Sequence, residues 1–146
     1  MLVHSALVIC VGNICRSPLG EYMLRQRMPE VDIGSAGLGA LVGQSADELA
    51  SEVAAENGVS LDGHVARQFT PELGSAYGLL LVMEPGHKRE IARLSPHLSG
   101  RTFLFDQWSG GKGIADPYRR SREFHENVFQ QIKAAADAWA QRLNQK

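Results

Sequence analysis

Cysteine is scarce in this chain: the 146 residues hold two, Cys10 and Cys15, within one short stretch. A cross-link between them would close only a tiny ring, which excludes a disulfide scaffold, and a zinc site lacks ligands. Reactive use of a thiol in a reducing compartment fits better. Charge of one sign is lacking too. Lys and Arg number 15 against 16 Asp and Glu, a net charge of −1, so no global basic field points to nucleic acid. No apolar run approaches the roughly 20 residues that span a bilayer, so no stable membrane insertion is expected. The start, Met1-Leu2-Val3-His4, has neither the charged n-region nor the long h-region of a signal peptide. A cytoplasmic location is the default expectation. Repeats, low-complexity segments and linker-like stretches are also missing. What is left is an ordinary mixture, 44% hydrophobic and 21% charged, in a length that suits one compact domain over residues 1–146.

The informative stretch runs from Ala6 to Arg27. Ala6-Leu7-Val8-Ile9-Cys10 is apolar and rich in β-branched residues, the pattern of a buried strand. It runs out at Gly12-Asn13, residues that tolerate positive φ. Ser17-Pro18 then predicts a helix start, with Ser17 as N-cap and Pro18 at the first helical position. Leu19 and Met23 follow at helical spacing. Strand, tight loop and helix N-terminus together bind anions: successive backbone N–H groups form a nest, and the helix dipole adds partial positive charge. Cys10 enters this loop and Arg16 leaves it. Such a field favours the thiolate, the nucleophilic form of cysteine, and an arginine forks two phosphate oxygens. Taken alone, Cys-x5-Arg is a weak pattern, and a cysteine ending an apolar strand is ordinarily a small buried hydrophobe. The strand before, Gly-Asn inside and Ser-Pro after turn the balance to phosphate chemistry. A Walker-type loop is excluded, since no Gly-Lys-Ser/Thr follows.

Further along, Val31 to Ser35 predicts a second strand, Gly78 to Met83 a third and Arg101 to Phe105 a fourth. Helices are expected from Ser45 or Asp47 to Asn57 with Gly58 as its stop, over a short segment capped by Thr70-Pro71, from Glu84-Pro85 to Pro96 with Ile91 and Leu94 inward, and from about Ser121 to Asn144. Phe124, Val128, Ile132, Ala136, Trp139 and Leu143 share one face of the last helix. Alternating strands and helices predict an α/β fold, a single doubly wound four-stranded parallel sheet with helices on both faces. Ligands of such sheets bind beyond the carboxyl ends of the strands. Cys10 ends the first strand and Asp116 follows the fourth, so both reach that edge.

Two separated motifs, in order, carry a family resemblance. Cys10-Val11-Gly12-Asn13-Ile14-Cys15-Arg16-Ser17-Pro18 resembles the signature loop of the low-molecular-weight protein tyrosine phosphatases, and Asp116-Pro117-Tyr118 resembles that family's acid loop. The resemblance covers essentially the whole chain. The residues then read as machinery for phosphate monoester hydrolysis. Cys10 is the candidate nucleophile. The N–H groups of Val11, Gly12, Asn13, Ile14, Cys15 and Arg16, with the Arg16 guanidinium, are candidates to hold the phosphate oxygens. Asp116 is the candidate general acid and then base, although Asp-Pro by itself is an ordinary turn initiator. No metal or cofactor is expected, because the loop and Arg16 supply the positive charge. The resemblance further implies that the Ser17 hydroxyl bonds the thiolate, that Asn13 keeps the loop in a strained shape, and that Ser35 and His64 support it. On its own, His64 reads as a structural or surface histidine.

Tyr118 offers an aromatic wall for a substrate ring. Many relatives carry a second aromatic wall after the second strand, where this chain has Leu38-Gly39-Ala40-Leu41-Val42-Gly43. The departure resembles the bacterial branch associated with capsule and exopolysaccharide kinases, which implies a tyrosine-phosphorylated partner, the tail of a bacterial tyrosine kinase. Leu41 is the residue expected to form the open wall, with Leu38 second. Arg119, Arg120 and Arg122 sit beside the acid loop, where they read either as partners for neighbouring phosphates or as a solvated basic helix start. Gly20 stands where the family usually has Ala, a helix penalty of roughly 1 kcal/mol. Cys15 reads either as a resolving thiol or as a packing residue. The alternative function is arsenate reduction on the same loop, but its thiol-relay form needs cysteines beyond the loop. A non-catalytic phosphotyrosine-binding module would have lost Cys10 or Asp116, and a flavodoxin-like binder would carry a Ser/Thr-rich phosphate loop.

Overall fold

The computed structural model describes residues 3–143. Four strands, β1 (Ser5–Cys10), β2 (Asp32–Gly37), β3 (Leu79–Val82) and β4 (Thr102–Leu104), form one parallel sheet in the order β2-β1-β3-β4. The central strand β1 is apolar at every position from Ala6 to Cys10 because both of its faces are covered. Ala6, Val8 and Cys10 point to one side, against α1 (Arg16–Arg27), α2 (Glu48–Glu56) and α5 (Arg122–Leu143). Leu7 and Ile9 point to the other, against Phe69, Ile91 and Leu98 around α3 (Pro71–Ser75), α4 (Pro85–Leu94) and a 3-10 turn (Pro96–Arg101). Burying each of these aliphatic side chains contributes roughly 1.5–3 kcal/mol of transfer free energy. This is the doubly wound arrangement that the alternation of elements predicts.

Three local expectations change. Ser17 is not an N-cap: α1 begins at Arg16, with Cys15 at the cap position and no side chain capping it. The first-turn N–H groups thus remain free, and the Ser17 hydroxyl is used elsewhere. Leu94 is 44% exposed rather than inward. The helix ends there, and Leu98 of the following turn fills that side of the sheet. Arg122 does not face the acid loop's neighbours as a free cation; it pairs with Glu52 and Glu56 and clamps α5 to α2. The expected end of the last helix at Asn144 lies outside the described residues, as does the Met1-Leu2 start.

Two glycines record close approaches. A Cβ on Gly20 would lie 3.0 Å from both Phe105 and Val8, so the small helix penalty lets α1 seat directly on the sheet. A Cβ on Gly37, at the end of β2, would lie 2.2 Å from the Val11 carbonyl. Gly37 is the register partner of Cys10, so the loop leaving β1 can cross the end of β2 only over a residue without a side chain.

Candidate active site

The chain from Cys10 to Arg16 turns between the end of β1 and the first turn of α1, and Asn13 is its pivot. Asn13 holds φ +58°, the left-handed region that non-glycine residues rarely adopt. Its polar atoms are fully engaged. The amide nitrogen donates to Ser17 Oγ at 2.8 Å and Ser35 Oγ at 3.0 Å, and Oδ1 accepts from the Arg67 backbone N–H at 2.9 Å. The Asn13 carbonyl lies 2.6 Å from His64 Nε2. The Ser35 hydroxyl donates to the buried carboxylate of Glu21 at 2.5 Å, which Arg25 balances from the next helical turn. Asparagine is among the few non-glycine residues that visit this region routinely, and the hydrogen-bond network around its side chain and carbonyl holds it there.

The same network orients the thiol. Ser17 Oγ accepts from Asn13, which leaves the hydroxyl proton free to point at Cys10 Sγ, 2.9 Å away. Burial, reinforced by the Asp47 carboxylate, pushes the Cys15 thiol far above its ordinary range, so Cys15 stays protonated at neutral pH.

Arg16 is 1% exposed. One terminal nitrogen, Nη1, donates to Glu84 Oε2 at 2.6 Å and to the Ile114 carbonyl at 2.7 Å. The other, Nη2, stands 3.7 Å from Asp116 Oδ2. The guanidinium is therefore fixed by Glu84 and the Ile114 carbonyl while Arg16 lines the cavity beside Asp116. Asp116 Oδ1 accepts from the Tyr118 N–H at 3.0 Å, an Asx turn that shapes the acid loop.

These groups meet in a cavity of about 190 Å³ lined by Cys10, Val11, Gly12, Ile14, Cys15, Arg16, Gly39, Leu41, Asp116 and Tyr118. Of the residues expected from sequence, Asn13, Ser17, Ser35 and His64 are absent from its walls. They are buried behind the loop, so the side chains of Asn13 and Ser17 do not line the cavity. Leu38 also misses the cavity, because it packs against the core on the far face of the sheet. Gly39, Glu84, Glu21 and Arg67 were not foreseen. Glu84 had a readable signal, since it stands two positions after the strand Leu79–Val82, at the edge where ligands bind.

Two buried histidines flank the site. His87 Nε2 lies 3.5 Å from Glu84 Oε2. His125 Nε2 lies 4.0 Å from Asp47 Oδ2. Burial holds both rings below the ordinary histidine range, and the Arg16 charge adds to this at His87. Both are therefore neutral in the folded protein near neutral pH. An unfolded ring takes up its proton at about pH 6.5. The stability gained by keeping the rings neutral is complete above that value and is lost as pH falls through it toward the depressed folded values. The melting temperature is thus expected to drop as pH is lowered from about 7 to about 5. A protein carrying His87→Asn and His125→Gln should show a shallower drop in the same calorimetric series. Identical slopes would mean that neither ring is linked to folding.

Comparison with known proteins adds three findings. A family model described as low molecular weight phosphotyrosine protein phosphatase matches residues 5–146. The low molecular weight protein-tyrosine-phosphatase Etp of Escherichia coli (strain K12) is 46% identical over 141 residues, covering 97% of this chain and 95% of the relative. Among solved structures, the tyrosine phosphatase Wzb from Escherichia coli K30, in complex with sulphate, superimposes with a TM-score of 0.96 at 48% identity, covering 98% of this chain and 100% of that one. Wzb of Vibrio vulnificus, in complex with benzylphosphonate, gives 0.94 at 46% identity, covering 97% and 99%.

Proposed function

Because the chain belongs to the low molecular weight phosphotyrosine protein phosphatase family, we propose that it acts in the cytoplasm on a tyrosine-phosphorylated protein, the tail of a bacterial tyrosine kinase that governs capsule or exopolysaccharide synthesis. The enzyme is a protein-tyrosine-phosphatase, a phosphoric monoester hydrolase.

The reaction takes two displacements on phosphorus. Cys10 Sγ attacks as thiolate, the S–P bond forms and the bond to the phenolic oxygen breaks. Asp116 gives its proton to that oxygen, so tyrosine leaves neutral. Water then attacks the cysteinyl-phosphate, Asp116 takes a proton from it, and the S–P bond breaks to release phosphate and the thiolate. In both steps the loop N–H groups and Arg16 hold the equatorial oxygens, and the Ser17 hydroxyl stabilises the sulfur as it departs. The observation that carries this reading is the convergence in one cavity of a thiol hydrogen-bonded at 2.9 Å, a buried arginine and, 3.7 Å from that arginine, a carboxylate. A benzylphosphonate resembles the phosphorylated tyrosine side chain, and the Vibrio vulnificus relative binds one. Thiol-relay arsenate reduction has no support: both cysteines of the chain lie in the loop, and Cys15 is held protonated.

The kinase-tail assignment rests on the open wall at Leu41, which lines the cavity opposite Tyr118 and is 37% exposed. An aliphatic wall leaves room for a phosphotyrosine on a continuous chain. Leu41→Trp would add a stacking surface worth roughly 0.5–1.5 kcal/mol to a small aryl ring while narrowing the mouth. The ratio of kcat/KM for p-nitrophenyl phosphate to that for a phosphorylated kinase tail is expected to rise several-fold. An unchanged ratio would detach the loop from specificity and remove the support for this partner.

A further inference from the structure

Two cations beside the cavity have no task in the chemistry above. Arg119 and Arg120 follow Tyr118 directly and are exposed. Arg119 Cζ stands 5.2 Å from the centre of the Tyr118 ring, and Arg120 Cζ stands 4.3 Å from that of Phe124. Neither guanidinium meets a carboxylate among the described residues, whereas the nearby Arg122 is held by Glu52 and Glu56. Arg119 also sits at φ +62°. Glycine or asparagine is the ordinary residue there, so an arginine is kept at a cost in backbone energy. The turn is closed by the Arg120 N–H donating to the Pro117 carbonyl at 2.9 Å, and neither arginine lines the cavity itself.

We propose that Arg119 and Arg120 form a second anion subsite that takes a phosphate on a residue neighbouring the phosphotyrosine seated over Cys10. This rests on the phosphotyrosine reading and narrows it to multiply phosphorylated segments. Unpaired guanidinium forks match phosphate oxygens two at a time. Stacking on Tyr118 and Phe124 restricts the two stems, so less freedom is lost when the anion arrives. An extended peptide advances roughly 3.3 Å per residue, so a second phosphate one to three residues away stands about 3–10 Å from the one seated over Cys10.

The test compares a singly and a doubly phosphorylated tyrosine peptide of the same sequence, with p-nitrophenyl phosphate as a substrate that has no second phosphate. The wild type is expected to favour the doubly phosphorylated peptide in kcat/KM by about fivefold to tenfold, mainly through KM, as two exposed charge-assisted contacts allow. The preference should shrink as salt is raised. Arg119→Gly with Arg120→Ala relieves the left-handed backbone and removes both cations. It should abolish the preference while p-nitrophenyl phosphate turnover stays within about twofold, since the energy of exposed contacts of this kind is small and local. Equal wild-type rates on the two peptides, or a preference that survives the double substitution, would overturn the subsite. Failure of the wild type to hydrolyse either peptide while it hydrolyses p-nitrophenyl phosphate would overturn the phosphotyrosine reading itself, and the subsite with it.

Discussion

Cys10→Ser should abolish turnover and still leave a protein that binds phosphate or vanadate. The substitution exchanges sulfur for oxygen at the end of β1, where the side chain is 3% exposed and its contact with Ser17 can persist as an ordinary hydroxyl pair. Nothing that shapes the cradle depends on the sulfur. Asn13 keeps its four partners, Arg16 keeps Glu84 and the Ile114 carbonyl, and the first-turn N–H groups of α1 remain uncapped. An alcohol, however, is a poor nucleophile without a base beside it, and among the described residues the side chain hydrogen-bonded to Cys10 is the Ser17 hydroxyl. Loss of a nucleophile in a preorganised site costs on the order of 10⁴–10⁶ in rate. Rapid-quench labelling of the wild type should trap one phosphate per chain on Cys10. A label found on a histidine or aspartate would remove the cysteinyl-phosphate from the mechanism, and loss of vanadate binding in Cys10→Ser would show that the cradle does not stand without the thiol.

Local residues made the front of this site legible, whereas its back was legible only through the family resemblance, which named Ser35 and His64 but not Glu21, Arg67 or Glu84. Cys10, Arg16 and the loop between them are contiguous, and the strand before and helix after them follow from apolar runs and a proline. The supports are not contiguous. Asn13 draws on Ser17, Ser35, His64 and Arg67, which come from α1, β2 and the loop between α2 and α3. A capping preference assigned Ser17 to the helix end. The tertiary demand of Cys10 and Asn13 outbids that preference, worth about 1 kcal/mol. Glu84 was read only as the start of a helix, because its pairing with Arg16 spans 68 residues and no periodicity reports it. Leu38 and Leu41 show the same limit at small scale. Both are apolar residues of one loop, yet Leu38 turns into the core and Leu41 into the cavity. Gly20 read from sequence only as a helix penalty and Gly37 carried no signal at all, so only the packed sheet identifies Phe105 and the Val11 carbonyl as the atoms they let approach.

Asp116→Asn should slow the enzyme in proportion to how badly the leaving group needs a proton. The carboxylate is half-exposed, anchored at Oδ1 by the Tyr118 N–H and placed 3.7 Å from Arg16 through Oδ2. Asparagine can keep the first contact through its carbonyl, so the acid loop retains its turn. It cannot donate an acidic proton, and it also removes a negative charge from beside Arg16. The two effects separate by substrate. Loss of the charge leaves Arg16 freer to attract phosphate, which affects every substrate alike and favours binding. Loss of the proton matters only where the departing oxygen would otherwise leave as a strong base. Phosphotyrosine and phenyl phosphate should therefore slow by about 10²–10⁴-fold, the range available to a positioned acid. Aryl phosphates with strongly electron-withdrawn rings should slow far less, so the dependence of log kcat on leaving-group pKa becomes steep in the variant and stays shallow in the wild type. In the proposed second step Asp116 is also the base, so a residual loss should persist on good leaving groups, where breakdown of the cysteinyl-phosphate limits turnover. Rapid-quench measurement should then show labelled Cys10 accumulating in the variant with activated substrates and not with phenyl phosphate. A loss of equal size across the series, with no accumulation of label, would mean that Asp116 acts on the charge of Arg16 alone and that the proton comes from elsewhere.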